Sequence, residues 1–332
     1  VGLFSSYRAP IPLMVIGNIT VGGSGKTPLI IALVTHLQKQ GIKVGVISRG
    51  YGGDSNQMPT LVRADSLPSI VGDEPCLIVN MTGAAMAVCP NRKQAITTLL
   101  NAHPDLQLII ADDGLQHYAL QRDIEWIVVD ASRGFGNQQL LPTGFLREPM
   151  SRLTGANVVY HEKADRTTKD NKQAKAKRLT MHLQADELQI LWPSAVEIDG
   201  LSVAAKTLMP PIPNGRVHAV SGIGYPQRFF DTLMALGFDV IGHAYPDHYD
   251  FSLTELLQYS ELPIIVTSKD AVKIRALLIN MSSRQPLNDE YQELVHRLWV
   301  LPVTAVLSDG CYVSLQQQLK ALNINLSKST KA

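Results

Sequence analysis

The residues that could do chemistry in this chain gather in a few short stretches. NITVGGSGKTP, residues 18–28, ends in Gly25, Lys26 and Thr27, the close of the Walker A spelling G-x-x-x-x-G-K-[ST]. Thr20 stands where that spelling has its first glycine. Such a loop aims backbone N–H groups at phosphate oxygens ahead of a helix N-terminus. Gly22, Gly23 and Gly25 can take the positive φ angles this needs. Lys26 would bring a mobile charge to β- and γ-phosphates and Thr27 a hydroxyl for Mg²⁺. Pro28 falls just inside the following helix, where its missing N–H costs little. Nucleotide binding is expected, despite Thr20.

Acids follow. ADDGLQH, residues 111–117, closes an apolar run with Asp112 and Asp113. An acid on a strand beside the loop typically holds Mg²⁺ in P-loop proteins. Two adjacent aspartates cannot point the same way while strand geometry persists. One is expected to serve the metal and the other to cap, orient or bind substrate; a plain Asp-Asp-Gly turn is the alternative. VGDEPCLI places Asp73 and Glu74 before a proline. This is either an ordinary loop with a helix start or a carboxylate set to accept the proton of an attacking hydroxyl. HAYPDHYDF carries Asp247 and His248 after a strand. A lone histidine there is more often structural, though an Asp-His pair at a crevice could tune a carboxylate or hold a phosphate. SRGYGG and RGFGNQQLLPTGFLREP bring Arg49, Arg133 and Arg147. Arginines near a transferring phosphoryl group stabilise spread charge. Each alone is more often a salt-bridge partner.

The elements that must position these residues alternate. LMVIGN, the glycine loop, PLIIALVTHLQKQG with Gly41 at its end, and KVGVISRG read as strand, helix, strand with short joins. That is a βαβ unit and implies a parallel sheet. LVRA and CLIV are expected as strands, NRKQAITTLLNAH as a helix, and LQLIIADDG, IEWIVVDAS and ANVVYHE as further strands. The glycine loop, Asp112, Asp113 and Asp130 then fall at carboxyl ends, where ligands of open α/β sheets gather.

Past about residue 160, EKADRTTKDNKQAKAKR is polar and lysine-rich and reads as a solvated segment. TMHLQADELQIL and VEIDGLSV alternate and suggest a β-rich connector. A second α/β series begins at Arg216. RLWVLPVTAVLS is expected to return as a late strand, and YVSLQQQLKAL to close the chain as a helix. The organisation expected is a P-loop-type parallel-sheet domain over 1–178, completed by a helix at 310–324. A β-stranded connector over 179–205, with its return strand near 299–307, and a smaller α/β/α domain over 206–298 complete it.

Composition narrows the classes. Of 332 residues, 45% are hydrophobic and 18% charged, enough apolar material for sizeable cores. A net charge of +1 gives no electrostatic reason to expect nucleic acid. Cys76, Cys89 and Cys311 lie far apart without zinc spacing, as expected of reduced thiols. No apolar run approaches the roughly 18 residues of a membrane span.

GNITVGGSGKTP, VISRGYGG, GDEP, DDGLQHYALQRD, LLPTGFLREP, SGIGYPQRFF and the TSKDAVK of 267–273 together resemble the tetraacyldisaccharide 4′-kinase family, over nearly the whole chain and in order. That family's loop resembles T-x-G-G-x-G-K-T, so Thr20 is no defect. The resemblance implies ATP-dependent phosphorylation of the 4′-hydroxyl of an acylated glucosamine disaccharide 1-phosphate in lipid A synthesis. It implies peripheral work at the cytoplasmic face of the bacterial inner membrane with ATP and Mg²⁺; a monomer without a nucleic-acid partner is expected. Carried over by motif, Thr20, Val21, Gly22, Gly23, Ser24, Gly25, Lys26 and Thr27 would bind ATP. Lys26 would also act in catalysis, Asp73 would be the base and His248 its assistant. Thr27, Asp112 and Asp113 would handle Mg²⁺, and Gln116, His117, Arg147 and Glu148 would lie near nucleotide or donor phosphates.

Family members resemble one another in a hydrophobic and basic segment ahead of Y-R-A-P, whereas this chain starts a few residues before that block. Leu3, Phe4 and Arg8 are expected as the last turns of an interfacial helix, with the lysine-rich stretch after Glu162 as the alternative membrane contact. Two other readings are a P-loop ATPase switch, which usually has a second loop lysine where Val21 stands, and a kinase of a soluble metabolite.

Overall fold

LMVIG, VGVIS and LIIAD form strands in which every residue is buried. Strands covered on both faces need no polar alternation, which is why they read as unbroken apolar runs. The computed structural model describes residues 6–163, 178–192, 209–259, 261–283 and 286–324. Two compact units emerge, Val1–Gln184 with Thr304–Ala332, and Ala185–Val303.

The first unit runs β1 (Leu13–Gly17), α1 (Lys26–Lys39), β2 (Val44–Ser48), β3 (Thr60–Val62), α2 (Pro68–Val71), α3 (Asp73–Thr82), β4 (Ala85–Val88), α4 (Arg92–Ala102), β5 (Leu108–Asp112), β6 (Ile124–Asp130), β7 (Asn157–His161) and β8 (Leu179–Ala185). The second holds β9 (Gln189–Ile190), β10 (Arg216–Ser221), α5 (Pro226–Ala235), β11 (Asp239–Ala244), α6 (Leu253–Leu257), β12 (Ile264–Thr267), α7 (Ser268–Ser282), α8 (Asp289–Arg297) and β13 (Leu298–Leu301). The chain then returns to the first unit with β14 (Val303–Leu307) and α9 (Asp309–Ala321).

The large sheet has the order β14-β8-β7-β6-β1-β5-β2-β4-β3. Its centre is parallel, with Ile16 of β1 opposite Asp112 of β5 on one side and Trp126 of β6 on the other. Strand order therefore reverses at β1, and the carboxyl end of such a switch point is where open α/β sheets take their ligands. Helix α1 leaves from that end and buries Leu29, Ile30, Leu33, Val34 and Leu37 at helical spacing. It stops at Gly41, where Gly41 N donates to Gln38 O at 2.9 Å and Ile42 N to Leu37 O at 3.0 Å. This pair of bonds caps the last free carbonyls. The smaller sheet, β11-β10-β12-β13-β9, is parallel apart from β9.

Three expectations change. CLIV lies inside helix α3 rather than in a strand. A four-residue apolar run carries no period of its own. Asp73 and Glu74 in the first turn and Gly83 at the end decide for a helix. RLWVLPVTAVLS is not one returning strand. Pro302, which has no N–H for a ladder, separates β13 in the small sheet from β14 in the large one. TMHLQADELQIL likewise divides, since β8 pairs with β7 in the large sheet and β9 with β13 in the small one. VEIDGLSV, Leu3, Phe4 and residues 164–177 of the lysine-rich stretch lie outside the described residues. Among the described residues, no helix is long and apolar enough to cross a membrane.

Helix α9 belongs to the first unit. Trp126 Nε1 on β6 donates to Gln318 Oε1 at 2.9 Å, and Cys311, Leu315 and Leu319 are fully buried. Leu315→Ala is expected to destabilise this unit by about 2–5 kcal/mol, the usual cost of emptying a leucine site in a core. Denaturant unfolding followed by tryptophan fluorescence in a Trp192→Phe, Trp299→Phe background, which leaves Trp126 as the reporter, measures it. A loss below about 1 kcal/mol would mean that α9 is not part of that core.

Candidate active site

Past β1 the chain turns through residues 18–25 before entering α1. Val21 N donates to Phe145 O at 2.9 Å and Arg147 N to Ile19 O at 2.6 Å, so the loop is braced by the segment 139–149. Gly25 takes φ +96° as the cap of α1, and a Cβ there would come within 2.6 Å of Met181 Cε and 2.7 Å of His161 Nδ1. Only glycine fits. The Ser24 carbonyl is 3.1 Å from His161 Nδ1, while Ser24 Oγ is buried without a hydrogen-bond partner. Gly23 is open to solvent.

Lys26, the first residue of α1, folds back over this loop. Its Nζ donates to Asn18 Oδ1 at 3.0 Å and lies 3.5 Å from Asp113 Oδ1. Asn18 is itself fixed, donating from Nδ2 to Thr20 O at 2.7 Å. The Thr27 hydroxyl makes no hydrogen bond with any described residue.

The two aspartates separate because the strand ends between them. Asp112 is the last residue of β5, and Asp113 takes φ +47°, in the left-handed region. Asp112 Oδ2 accepts from Ser48 Oγ on β2 at 3.1 Å, and Oδ1 is buried without a hydrogen-bond partner. Burial, joined by the charges of Glu74 and Asp113, pushes the Asp112 carboxyl up to about 7, against the opposing pull of Lys26 and Arg92. Asp113 is also drawn up by burial. Lys26 and Arg147 outweigh that and hold it below the usual carboxylate range. Arg147 Nη1 donates to both Asp113 oxygens, at 2.9 and 3.0 Å, and to Gln116 Oε1 at 3.3 Å. Gln116 Nε2 donates to Glu148 Oε1 at 2.7 Å and to Asn18 O at 3.1 Å, and Arg152 holds the other Glu148 oxygen at 3.1 Å. His117 is half-buried, its ring pulled below the ordinary histidine range by burial and then by Arg92 and Arg122.

Asp73 is buried at the start of α3, where its Oδ1 accepts from Glu74 N at 2.9 Å. One unit thus contains Thr20 to Thr27, Asp73, Asp112, Asp113, Gln116, His117, Arg147 and Glu148. His248 belongs to the other. There it takes φ +61°, donates from its backbone N to Gly222 O at 3.1 Å, and has Lys269 Nζ 3.3 Å from its Nε2. Lys269 also donates to Asp247 Oδ1 at 3.2 Å.

Motif reading passed over three residues of this neighbourhood, Asn18, Ser48 and Arg92, and named Glu74 only beside Asp73 as a proton acceptor. Asn18 anchors Lys26, Ser48 holds Asp112, and Glu74 adds charge beside it. The buried Arg92 guanidinium donates to Cys89 O at 3.1 Å and Asp112 O at 3.2 Å. Asn18 stands inside the loop motif and could have been found there. Ser48 and Arg92 act across the sheet and left no local signal. Among the described residues, no group of three or more His, Cys, Asp and Glu side chains is arranged to hold a metal.

A glycine loop between a central parallel strand and its helix, with a buried acid on the neighbouring strand, defines a P-loop kinase fold. The family described as Tetraacyldisaccharide-1-P 4′-kinase matches residues 1–320. A tetraacyldisaccharide 4′-kinase of Psychrobacter arcticus is 74% identical, over 98% of this chain and 87% of its own. One from Pseudomonas putida is 44% identical, over 83% of this chain and 77% of its own. Among solved structures, the LpxK of Aquifex aeolicus, crystallised in complex with ATP, superposes with a TM-score of 0.66 at 23% identity, over 97% of this chain and 91% of that one. The chain belongs to the tetraacyldisaccharide-1-P 4′-kinase family.

Asp112 gives this site a pH signature. A carboxyl titrating near 7 when folded and near about 3.9 when unfolded keeps a proton that the unfolded chain has released. The unfolded state then binds fewer protons, so this group's contribution is greatest at acid pH and is lost as pH rises through 7. In chelator-containing buffer, Asp112→Asn is expected to raise Tm over the parent by more at pH 8 than at pH 5. Equal gains at both values would show that burial does not hold the proton.

Proposed function

We propose that this chain transfers the γ-phosphoryl group of ATP to the 4′-hydroxyl of a tetraacylated glucosamine disaccharide 1-phosphate. The observation that carries the reading is Lys26 held over a glycine loop by Asn18 at 3.0 Å, beside an aspartate with one buried, unpartnered oxygen. Loop N–H groups and Lys26 bind the nucleotide phosphates, and Gln116, His117, Arg147 and Glu148 line the same edge of the unit. Asp73 accepts the proton of the 4′-hydroxyl as its oxygen attacks phosphorus. The bond from Pγ to the bridging oxygen breaks, and ADP leaves with Lys26 on its phosphates.

Mg²⁺ fits the residues present. Asp112 offers the open oxygen, Thr27 a hydroxyl bonded to no described residue and Asp113 a second carboxylate. These three would hold it. Asp112 is assigned first, because Arg147 already occupies both Asp113 oxygens. Hard, hydrated Mg²⁺ commonly takes one or two carboxylates plus substrate phosphates rather than a full protein cage. When bound it neutralises charge on the phosphate oxygens.

The acceptor's acyl chains place the work at a membrane surface, and we assign the cytoplasmic face of the inner membrane, reached peripherally by a monomer. His248 carries the assisting role that its motif implies.

Lys26→Ala is expected to slow turnover by two to three orders of magnitude, since donors aimed at developing charge are worth about 2.7–4 kcal/mol. Its Tm should stay close to the parent's. Kinase assays with ATP and acylated disaccharide measure this, and near-normal activity would overturn the loop assignment. Asp73→Asn is expected to lower kcat by about 10²- to 10⁴-fold with ATP affinity nearly intact. If His248 assists that proton transfer, Asp73→Asn combined with His248→Ala loses much less than the product of the separate effects. Fully multiplicative losses would separate the two residues.

A further inference from the structure

Arg49, Arg133 and Arg147 stand out in the sequence as cations near the glycine loop, and the structure gives them different work. Arg147 is bound to Asp113. Arg49 is exposed. Arg133 is fixed at both ends of its side chain. Its backbone N–H donates to Asp130 Oδ1 at 3.3 Å, in a turn where Ser132 binds the same oxygen through N at 3.0 Å and Oγ at 2.7 Å. Its guanidinium carbon lies 5.6 Å from the centroid of the Phe145 ring, and the carbonyl of Phe145 receives Val21 N. At the far end, Nη1 lies 3.5 Å from Val21 O. A methyl group on Gly22 would meet Nη1 at 2.9 Å, Nη2 at 3.5 Å and Cζ at 3.7 Å. The bare Gly22, at φ +85°, is what lets the guanidinium come this close.

No acidic side chain among the described residues pairs with this guanidinium. A cation anchored at its base, propped on an aromatic face and pressed against a phosphate loop has one natural counter-charge, a phosphate oxygen. The position in the loop says which. Gly25, Lys26 and Thr27 open helix α1, whose N-terminus holds phosphate while Lys26 reaches the β- and γ-phosphates. Val21 and Gly22 form the preceding turn, and on the kinase reading they meet the γ-phosphate from the side that Arg133 occupies.

We propose that Arg133 is a catalytic arginine supplied in cis, binding the γ-phosphoryl group from the Gly22 side of the loop. As the Pγ–O bond to ADP breaks and the bond to the 4′-oxygen forms, negative charge spreads over the equatorial and leaving oxygens. Arg133 N–H donors meet that charge opposite Lys26. The assignment rests on the kinase reading above.

The test compares Arg133→Ala, Arg133→Lys and Lys26→Ala in steady-state kinetics and in binding of ATP and ADP, with Tm alongside. Arginines of this kind are worth about 10³- to 10⁵-fold in rate. Arg133→Ala is expected to lower kcat by at least about 10²-fold, leave the acceptor KM within about twofold, and weaken ATP more than ADP. Arg133→Lys should recover little, because a point charge lacks the planar fork. Methylguanidinium added to Arg133→Ala should restore part of kcat. Near-normal kcat in Arg133→Ala, with Lys26→Ala inactive, overturns this proposal and leaves the kinase reading standing. Near-normal activity in Lys26→Ala overturns the reading itself. A raised acceptor KM with unchanged kcat would make Arg133 a ligand of the acceptor's own phosphate. Equal loss of ATP and ADP with a lowered Tm would make it a prop of the loop. Either result overturns the proposal; should Arg133→Ala not fold, Arg133→Gln carries the same readouts.

Discussion

Burying a carboxylate is costly unless charge or hydrogen bonds meet it, and the edge of the large sheet is organised around one such group. Asp112 ends β5 with one oxygen on Ser48 and the other unpartnered. The buried Arg92 donates to the carbonyl of the same residue, and Lys26 adds a second positive charge from the loop. Asp113 is turned away by its left-handed backbone and secures Arg147. The register of β1 and β5 makes this geometry possible, since Ile16 lies opposite Asp112 and the loop leaves β1 just beyond. Without that register the lysine and the acid would not share an edge.

The second unit repeats the theme with different residues. Asp270 is fully buried at the start of α7, accepting from Gly222 N at 3.1 Å and Thr267 Oγ1 at 2.7 Å, with Lys273 Nζ 3.5 Å from its other oxygen. Burial raises its carboxyl above the usual range despite these partners. Here the acid ties the SGIG turn to the TSKD turn and so shapes the carboxyl ends of β10 and β12. Both motifs were visible as family blocks, and the buried acid that joins them explains why they belong together.

Legibility in the sequence followed distance along the chain. The glycine loop, the Asp-Asp pair, the alternation of strands and helices and the closing helix are local patterns, and the fold class followed from them. CLIV misled because four apolar residues fit either period, and the helix was settled by the acids before it and the glycine after it. The assignment of strands to sheets around Pro302 depends on which neighbours are available, and no local pattern records that. Ser48 and Asp112 are 64 residues apart, and their bond is a property of sheet order alone. Asn18 was within reach, as a side chain amide inside the motif whose lysine it holds.

The second unit is spliced into the first, leaving after β8 and rejoining at β14. A chain made from its N-terminus therefore exposes the phosphate loop, both aspartates and most of the large sheet long before the sheet's last strand and α9 exist. Until Leu315 and Leu319 emerge, the face of β6 around Trp126 lacks its cover. Domains generally form as units during synthesis. Here the inserted unit can close first, while the nucleotide-binding half waits for the final residues. Birth order and sequence order are thus reversed, and a ribosome halted before α9 would carry the large sheet with the face of β6 still uncovered and the glycine loop already made.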